Sequence, residues 1–279
     1  MQLCCAASNS AIIYTVDKEK LMDEQVANFK QQIQSNIYNN AFCDTDKWRA
    51  HLIYMIYNPD NYWLNILSVF NFRDAPVRVQ RHAAWKDKIA PANPIIKKGL
   101  TGIPILVKEN KENMIGVKIS QERIVHDAWD INDLMDGDKL ILTSPFFDEI
   151  KRAQKNGLSL DSSFWESFIE NIMANRFSSL SHDVKKLLSE SFLYIIYGTN
   201  EINLDIVSIH KNSPTMLCRI YKNMVKLLQV ALASFRDYVA SEIAKTASEK
   251  EKEAFQDRMQ RKLPQRLEDA TIRLSKKGG

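Results

Sequence analysis

The chain has 279 residues, of which 45% are apolar and 26% are charged, and its formal net charge is +4. These values are ordinary for a globular protein and exclude a wholly disordered chain, while so small a net charge selects no class of partner. The length suggests one large or two small domains.

Three helices are predicted in the first quarter of the chain. Residues 17–38 have apolar side chains at helical spacing. A second helix is expected to begin near Thr45, because Asp44 and Thr45 are good capping residues, and to stop before Pro59. A third helix, at about 60–71, is dense in aromatic residues.

The segment 73–131 contains most of the mid-chain prolines and glycines and several β-type runs. We predict an extended stretch at 77–79, a short helix that includes 85–88, a strand at 103–107, a polar turn at 109–113, a second strand at 114–119 and a third from Arg123 towards Trp129. Such strands form a small antiparallel sheet packed against helices, which is an α+β fold.

Helical periodicity returns after Gly137. Helices are predicted at 145–156, 161–176, 182–197 and 214–245, and Gly157 and Gly198 stand where helix C-caps belong. The segment 249–275 is highly charged, and we predict a separate helix there that is exposed or docked on a partner.

A soft boundary near residue 136 divides the predicted chain into two parts. The first part, 1–136, is an α+β domain with N-terminal helices. The second part, 137–279, is a helical domain that carries the exposed, charged C-terminal helix.

The cysteines, Cys4, Cys5, Cys43 and Cys218, form no C-x-x-C pair and stand beside no histidine pair at ligand spacing. We expect reduced thiols rather than a zinc site or disulfides. The N-terminus lacks the segments of a signal peptide, and no run approaches the roughly 20 apolar residues of a membrane helix. The expected location is the cytoplasm, with no membrane partner.

Positive charge concentrates between Arg73 and Arg123. This segment has eleven Lys or Arg and five Asp or Glu, so its charge is +6 while the remaining residues sum to −2. Cations that follow the backbone and aromatic rings that stack on bases are typical of single-strand binding. The candidate nucleic-acid-binding residues are Arg73, Arg78, Arg81, Trp85, Lys86, Lys97, Lys98, Lys108 and Lys118, with Trp85 as the stacking residue. On composition alone, a solvated sheet face with Trp85 in the core is the better interpretation.

Several runs in this region, 62–67, 77–79, 85–86, 96–106 and 128–131, follow one another in a recognisable order. Together they resemble the N-terminal domain of ArdC-like antirestriction proteins of conjugative elements and phages, over about 45–135. The most specific part is Lys97-Lys98-Gly99 followed by Gly102-Ile103. The resemblance implies single-stranded-DNA binding. Such proteins continue into a metalloprotease-like domain with an H-E-x-x-H motif, which this chain lacks, so no zinc site is implied.

No catalytic motif is recognisable in the chain. The sequence contains no G-x-S-x-G, no G-x-x-x-x-G-K-[ST] and no G-x-G-x-x-G. The acidic cluster Asp130, Asp133, Asp136 and Asp138 lacks the order of an EF-hand loop and favours an ordinary turn. We therefore expect no enzyme activity, no metal and no cofactor.

These observations favour a non-enzymatic single-stranded-DNA-binding protein of a mobile element or phage, of the antirestriction or anti-defence type. An alternative is a protein that inhibits a host defence nuclease by direct docking, through 249–275 and the apolar-faced helix before it. A third interpretation is a structural module of a larger protein.

Overall fold

The computed structural model describes residues 5–88, 95–112, 118–135, 137 and 143–275. The fold is α+β, as predicted: it is mainly helical and has one three-stranded antiparallel sheet. The helices are α1 (Cys5–Ser35), a π-helix (Tyr38–Phe42), α2 (Thr45–Tyr57), α3 (Trp63–Phe72), α4 (His82–Lys88), α5 (Pro145–Lys155), α6 (Ser162–Arg176), α7 (His182–Tyr197), α8 (Asp205–Ile209) and α9 (Pro214–Ser275).

Most predicted helices are confirmed, and the local signals explain their ends. The Asp44 carboxylate accepts a hydrogen bond from the Lys47 backbone N–H at 2.7 Å, which caps α2. Gly198 ends α7 in the left-handed conformation, with φ of 73°. The short helix α8 was not predicted. The predicted break between 214–245 and 249–275 is wrong, because α9 is continuous over 62 residues.

The sheet consists of β1 (Val79–Arg81), β2 (Ile103–Glu112) and β3 (Lys118–Asp130) in the order β1-β3-β2. The predicted polar turn at 109–113 is wrong up to Glu112, because β2 continues to that residue. Most of the predicted strand 114–119 lies outside the described residues. The polar pair Gln121-Glu122 does not separate two strands, because β3 runs through it and pairs with β2, with Lys108 opposite Glu122. Opposite charges across two strands stabilise such polar pairing.

One hydrophobic core contains buried residues from both parts of the chain. Helix α3 packs on β2 and α1 packs on β3, while α2 lies against α7 and α9. The Trp48 indole N–H donates to the Ser191 hydroxyl at 2.9 Å, and the Ser144 hydroxyl donates to the Ile56 carbonyl at 2.8 Å. The predicted domain division at residue 136 therefore does not coincide with a gap in the core.

A buried histidine, His51, contacts the backbone of the π-helix. His51 is fully buried, with Nδ1 at 2.6 Å from the Tyr221 hydroxyl and Nε2 at 3.3 Å from the Asn40 carbonyl. A carbonyl only accepts, so Nε2 carries the proton and Nδ1 accepts from Tyr221. Burial lowers the pKa of His51 to about 3, so the ring is neutral near neutral pH.

Within the described residues, no helix combines the length and the apolar character needed to cross a membrane.

Candidate nucleic-acid interface

Arg73, the first candidate, belongs to a buried ion pair. Its guanidinium donates to both carboxylate oxygens of Asp133, from Nε at 3.0 and 3.2 Å and from Nη2 at 2.9 Å, and to the Thr101 carbonyl at 3.0 Å. The Arg73 side chain is 19% exposed and the Asp133 side chain is 6% exposed. A charge committed to a buried carboxylate is not available to a phosphate. The DNA contact of Arg73 stays a prediction, and it would require the ion pair with Asp133 to open.

The carboxylates that follow β3 shape this corner of the fold. Asp130 and Asp133 form a capping box around a short 3-10 helix, Ile131–Asp133. Asp130 also accepts from the backbone N–H groups of Val77 and Arg78, at 2.8 and 3.1 Å. Burial raises the pKa of Asp130. Both acids are thus structural, as the predicted turn requires, while Asp136 and Asp138 lie outside the described residues. Among the described residues, no cluster of potential metal ligands is present.

Trp85 does not offer a ring face to a base. Its side chain is 1% exposed and forms a small second core with Ile131 and Leu134. Its indole N–H donates to the Trp129 carbonyl at 3.0 Å. Stacking on a base would require Trp85 to leave this core, and its burial favours the alternative interpretation of Trp85 as a core anchor.

Arg78 and Arg81 also have protein partners. Arg81 Nε lies 3.4 Å from the Asp127 carboxylate, and both side chains are partly exposed. Arg78 lies 3.4 Å from the Thr143 carbonyl through Nη1 and makes a further interaction. Exposed ion pairs are weak, so these guanidinium groups remain within reach of a phosphate, although neither is an unpaired charge.

The turn 97–100 carries two exposed lysines. Lys97 is anchored, since its ammonium donates to the Asn132 carbonyl at 2.6 Å and its backbone N–H donates to the Asp133 carbonyl at 2.9 Å. Lys98 is exposed beside Gly99, whose φ of 84° favours glycine. Both lysines therefore face solvent on a turn that is fixed to Asp133, the partner of Arg73. Their assignment to nucleic acid stays a prediction.

Two further candidates are placed only by their backbone. Lys86 lies in α4, and Lys118 begins β3. Their side chains lie outside the described part of the structure.

Lys108 is the candidate that the structure places beside other basic residues. It is exposed on β2 and lines a surface groove of about 450 Å³. The groove lies between the sheet, the N-terminus of α3 and the first third of α9. Its lining residues are Asp60, Asn61, Tyr62, Trp63, Leu106, Lys108, Glu122, Lys222, Val225, Lys226 and Gln229. We call it the basic groove.

Helix α9 contributes two lysines to the basic groove, one helical turn apart. The ammonium of Lys222 lies 4.4 Å from the centre of the Trp63 ring, which fixes its position above the groove wall. Lys226 lies 5.8 Å from the centre of the Phe177 ring. Gln229 ties α9 to the loop before α3, because its side-chain amide donates to the Pro59 carbonyl at 2.9 Å. Both lysines of α9 thus line the same hollow as Lys108.

Positive side chains outnumber negative ones in the lining of the basic groove. Of the two carboxylates in its wall, Glu122 is paired with Lys30 of α1. In the part of the chain that the structure describes, Lys108, Lys222 and Lys226 make no ion pair. With Glu122 paired to Lys30, three lysines face one remaining carboxylate, Asp60, so the hollow is positive and attracts an anion, whose counterions are released on binding.

An aromatic ring stands at the rim of the basic groove. Tyr62 is the residue before α3, and its side chain is 38% exposed. The Tyr62 and Trp63 rings pack at a steep angle with their centres 6.0 Å apart, and the exposed part of Tyr62 offers ring surface for stacking. The run that begins with Tyr62 was part of the family resemblance, but Tyr62 itself was not among the candidate residues.

Sequence reasoning missed Lys222 and Lys226 for a physical reason. They lie outside the basic segment 73–123, on a helix whose apolar stripe predicts burial. Their spacing of four residues places both on one helix face, but only the tertiary fold brings that face to Lys108.

Comparison of the chain with protein-family models, with curated proteins and with solved structures gives no match.

Proposed function

We propose that this chain binds single-stranded DNA without catalysing a reaction on it, and that the basic groove holds the phosphate backbone. The observation that carries the proposal is the convergence of Lys108, Lys222 and Lys226, all unpaired within the described residues, beside the partly exposed ring of Tyr62. Lysines act here as point charges for phosphates, and an aromatic ring stacks on any base.

A single strand fits this surface better than a duplex. The hollow is concave and walled on one side by α9, and its aromatic rim requires a base that is free to leave its neighbours. Bases inside a duplex are already stacked on one another, so the ring of Tyr62 gains nothing from them. The resemblance of 45–135 to ArdC-like proteins supports the same ligand and an anti-defence role on a mobile element or phage.

The test is the fluorescence anisotropy of a labelled, mixed-sequence single-stranded oligonucleotide, titrated at several salt concentrations with duplex DNA as competitor. The double variant K222Q/K226Q should bind more weakly. The slope of log affinity against log salt should become less steep by about 1.4, at about 0.7 for each phosphate of a single strand that is no longer neutralised.

The matched control is K155Q/K211Q. These lysines are exposed on α5 and after α8, outside the groove, and the variant loses the same formal charge. Equal effects of the two double variants would mean that only net charge matters, and would refute the groove assignment. No binding of the native chain at low salt would refute the proposed function.

A further inference from the structure

We infer that a second hollow, on the same side of the sheet as the basic groove, is a pocket for one unstacked nucleobase. This inference rests on the proposed function and adds a base-recognition site to it. The hollow has a volume of about 510 Å³ and lies between α1, the end of α3 and the sheet. It is lined by Phe29, Gln32, Ile33, Ser35, Asn36, Asn71, Phe72, Pro104, Ile124 and His126. We call it the amide pocket.

The chemistry of the lining selects a flat, uncharged ligand. The wall contains no Lys, Arg, Asp or Glu, in contrast to the basic groove. Phe72 is 46% exposed at the rim, and the exposed ring of His126 belongs to the same pocket. Rings that bases can stack on, combined with amides that hydrogen-bond to base edges, are how proteins recognise unstacked bases.

A chain of asparagines fixes the polar edge of the amide pocket. Asn40 donates through Nδ2 to the Leu67 carbonyl at 3.0 Å and to Asn71 Oδ1 at 2.8 Å. Since the Leu67 carbonyl only accepts, the Asn40 atom that faces it must be the donor Nδ2. The Asn71 atom that faces Asn40 must then be the acceptor Oδ1. Asn36 also donates to that oxygen, at 3.4 Å.

The Asn71 amide therefore turns its NH₂ group away from Asn40. In the described part of the chain, this group has no hydrogen-bond partner. An oriented NH₂ donor beside stacking rings fits a carbonyl oxygen or ring nitrogen on the Watson–Crick edge of a base.

The π-helix explains why the asparagines stand where they do. The widened turn Tyr38–Phe42 carries Asn40, and Asn36 in the turn before it lines both the amide pocket and an adjoining hollow of about 360 Å³. Single π-turns are frequent at functional sites. Here the turn is held by the contact of buried His51 with the Asn40 carbonyl.

The position of the amide pocket suits a strand that also occupies the basic groove. Glu122 lines the groove, while Ile124 and His126 line the amide pocket. Alternate residues of a strand share a face, and four residues of β3 span roughly 13 Å. Beyond the pocket, Phe72 is followed by Arg73, which anchors the Lys97-Lys98 turn through Asp133.

The experiment compares two fluorescein-labelled oligonucleotides of equal length, one with all its bases and one with abasic sites at every second position. Both carry the same phosphates. The native chain should bind the complete strand roughly tenfold more tightly, as expected for stacking of one base. The variants F72A and N71L should lose most of this ratio, whereas K222Q/K226Q should weaken both ligands and keep it.

The matched control is I209A, which truncates an exposed apolar side chain outside the pocket lining and should leave the ratio unchanged. Circular dichroism of each variant tests whether it is folded. Asn71→Asp is a milder second change, since it keeps the acceptor oxygen and removes the NH₂ donor. An unchanged ratio in F72A and N71L would overturn the amide pocket alone, whereas equal binding of both strands by the native chain would overturn the pocket and base stacking on Tyr62 together. No binding of either strand would overturn the proposed function together with the pocket.

Discussion

Asn65 and Leu106 exchange two hydrogen bonds, so that a side chain on α3 pairs with the outer edge of β2 as a further strand would. The amide Nδ2 donates to the Leu106 carbonyl at 2.9 Å, and the Leu106 backbone N–H donates to Oδ1 at 2.7 Å. One turn along α3, the Ser68 hydroxyl donates to the Pro104 carbonyl at 2.6 Å. These bonds cover part of an edge that would otherwise invite pairing with another chain.

Replacing Asn65 with Asp should destabilise the fold. A carboxylate accepts but cannot donate, so the Leu106 carbonyl loses its partner and faces a like partial charge. We expect a loss of about 1–3 kcal/mol in the free energy of unfolding, the range for an unsatisfied buried polar group. Urea unfolding followed by circular dichroism measures it. An unchanged midpoint would show that the Asn65 bonds contribute little.

Replacing both Lys97 and Lys98 with Gln should weaken DNA binding without affecting the fold. Both side chains are exposed, and the anchoring bond from the Lys97 backbone remains. The salt slope should fall by about 0.7 for each lysine that neutralises a phosphate in the native complex. Anisotropy titrations of the variant and of K155Q/K211Q provide the measurement and its control. If affinity and slope both stay at the native values, the turn does not bind DNA.

Trp85→Phe should separate the structural role of this residue from the stacking role. The change removes the hydrogen bond to the Trp129 carbonyl and part of the packing with Ile131 and Leu134. We expect a loss of about 1–3 kcal/mol in stability, and an unchanged affinity for DNA at a temperature where the variant is folded. A large loss of affinity with native stability would restore Trp85 as a binding residue.

His51 should make the fold sensitive to acid. Its pKa is lowered from 6.5 to about 3 in the folded chain, so between these values the unfolded chain binds a proton that the folded chain does not. Stability therefore falls as the pH drops from 6.5 towards 3, by up to about 1.4 kcal/mol per pH unit from this group. Urea unfolding at several pH values should show a shallower decline for His51→Gln. Parallel curves for the two proteins would contradict a buried, neutral His51.

Deletion of 246–279 should leave the fold and DNA binding intact. Among the α9 side chains that the structure describes, Ile243 is the last that packs against the core, and Lys222 and Lys226 precede the deletion. Anisotropy titration and thermal unfolding test this. Reduced affinity would place part of the DNA site on the deleted segment. Loss of nuclease inhibition with retained DNA binding would instead support the alternative of a docking inhibitor.

The helices could be predicted because their signals are local. Apolar spacing, the Asp44 cap and the glycine after α7 each act within a few residues. The continuation of β3 through Gln121-Glu122 could not be predicted, because the charge of Glu122 is matched by lysines on β2 and α1. For the same reason, the sequence could not predict the partners of Arg73 and Trp85. A basic or aromatic residue has the same local sequence pattern whether its side chain is solvated or packed against a distant element.

The candidate site was predicted only in part. Lys97, Lys98 and Lys108 are exposed, as a binding surface requires. The groove itself depends on α9, whose lysines are more than a hundred residues from Lys108 in the sequence. A contact at such separation leaves no trace in periodicity, and only packing of α9 against α3 creates it.

The basic groove is built from α3 and β2 on one side and α9 on the other. A bound ligand therefore contacts two distant parts of the chain at once and links them. Ligand that binds only the folded state adds about 2.7 kcal/mol of stability at a hundred times its dissociation constant. With one core shared by both parts, that stabilisation is distributed over the whole chain. Thermal unfolding in the presence of candidate strands thus offers a label-free screen for whatever the groove holds.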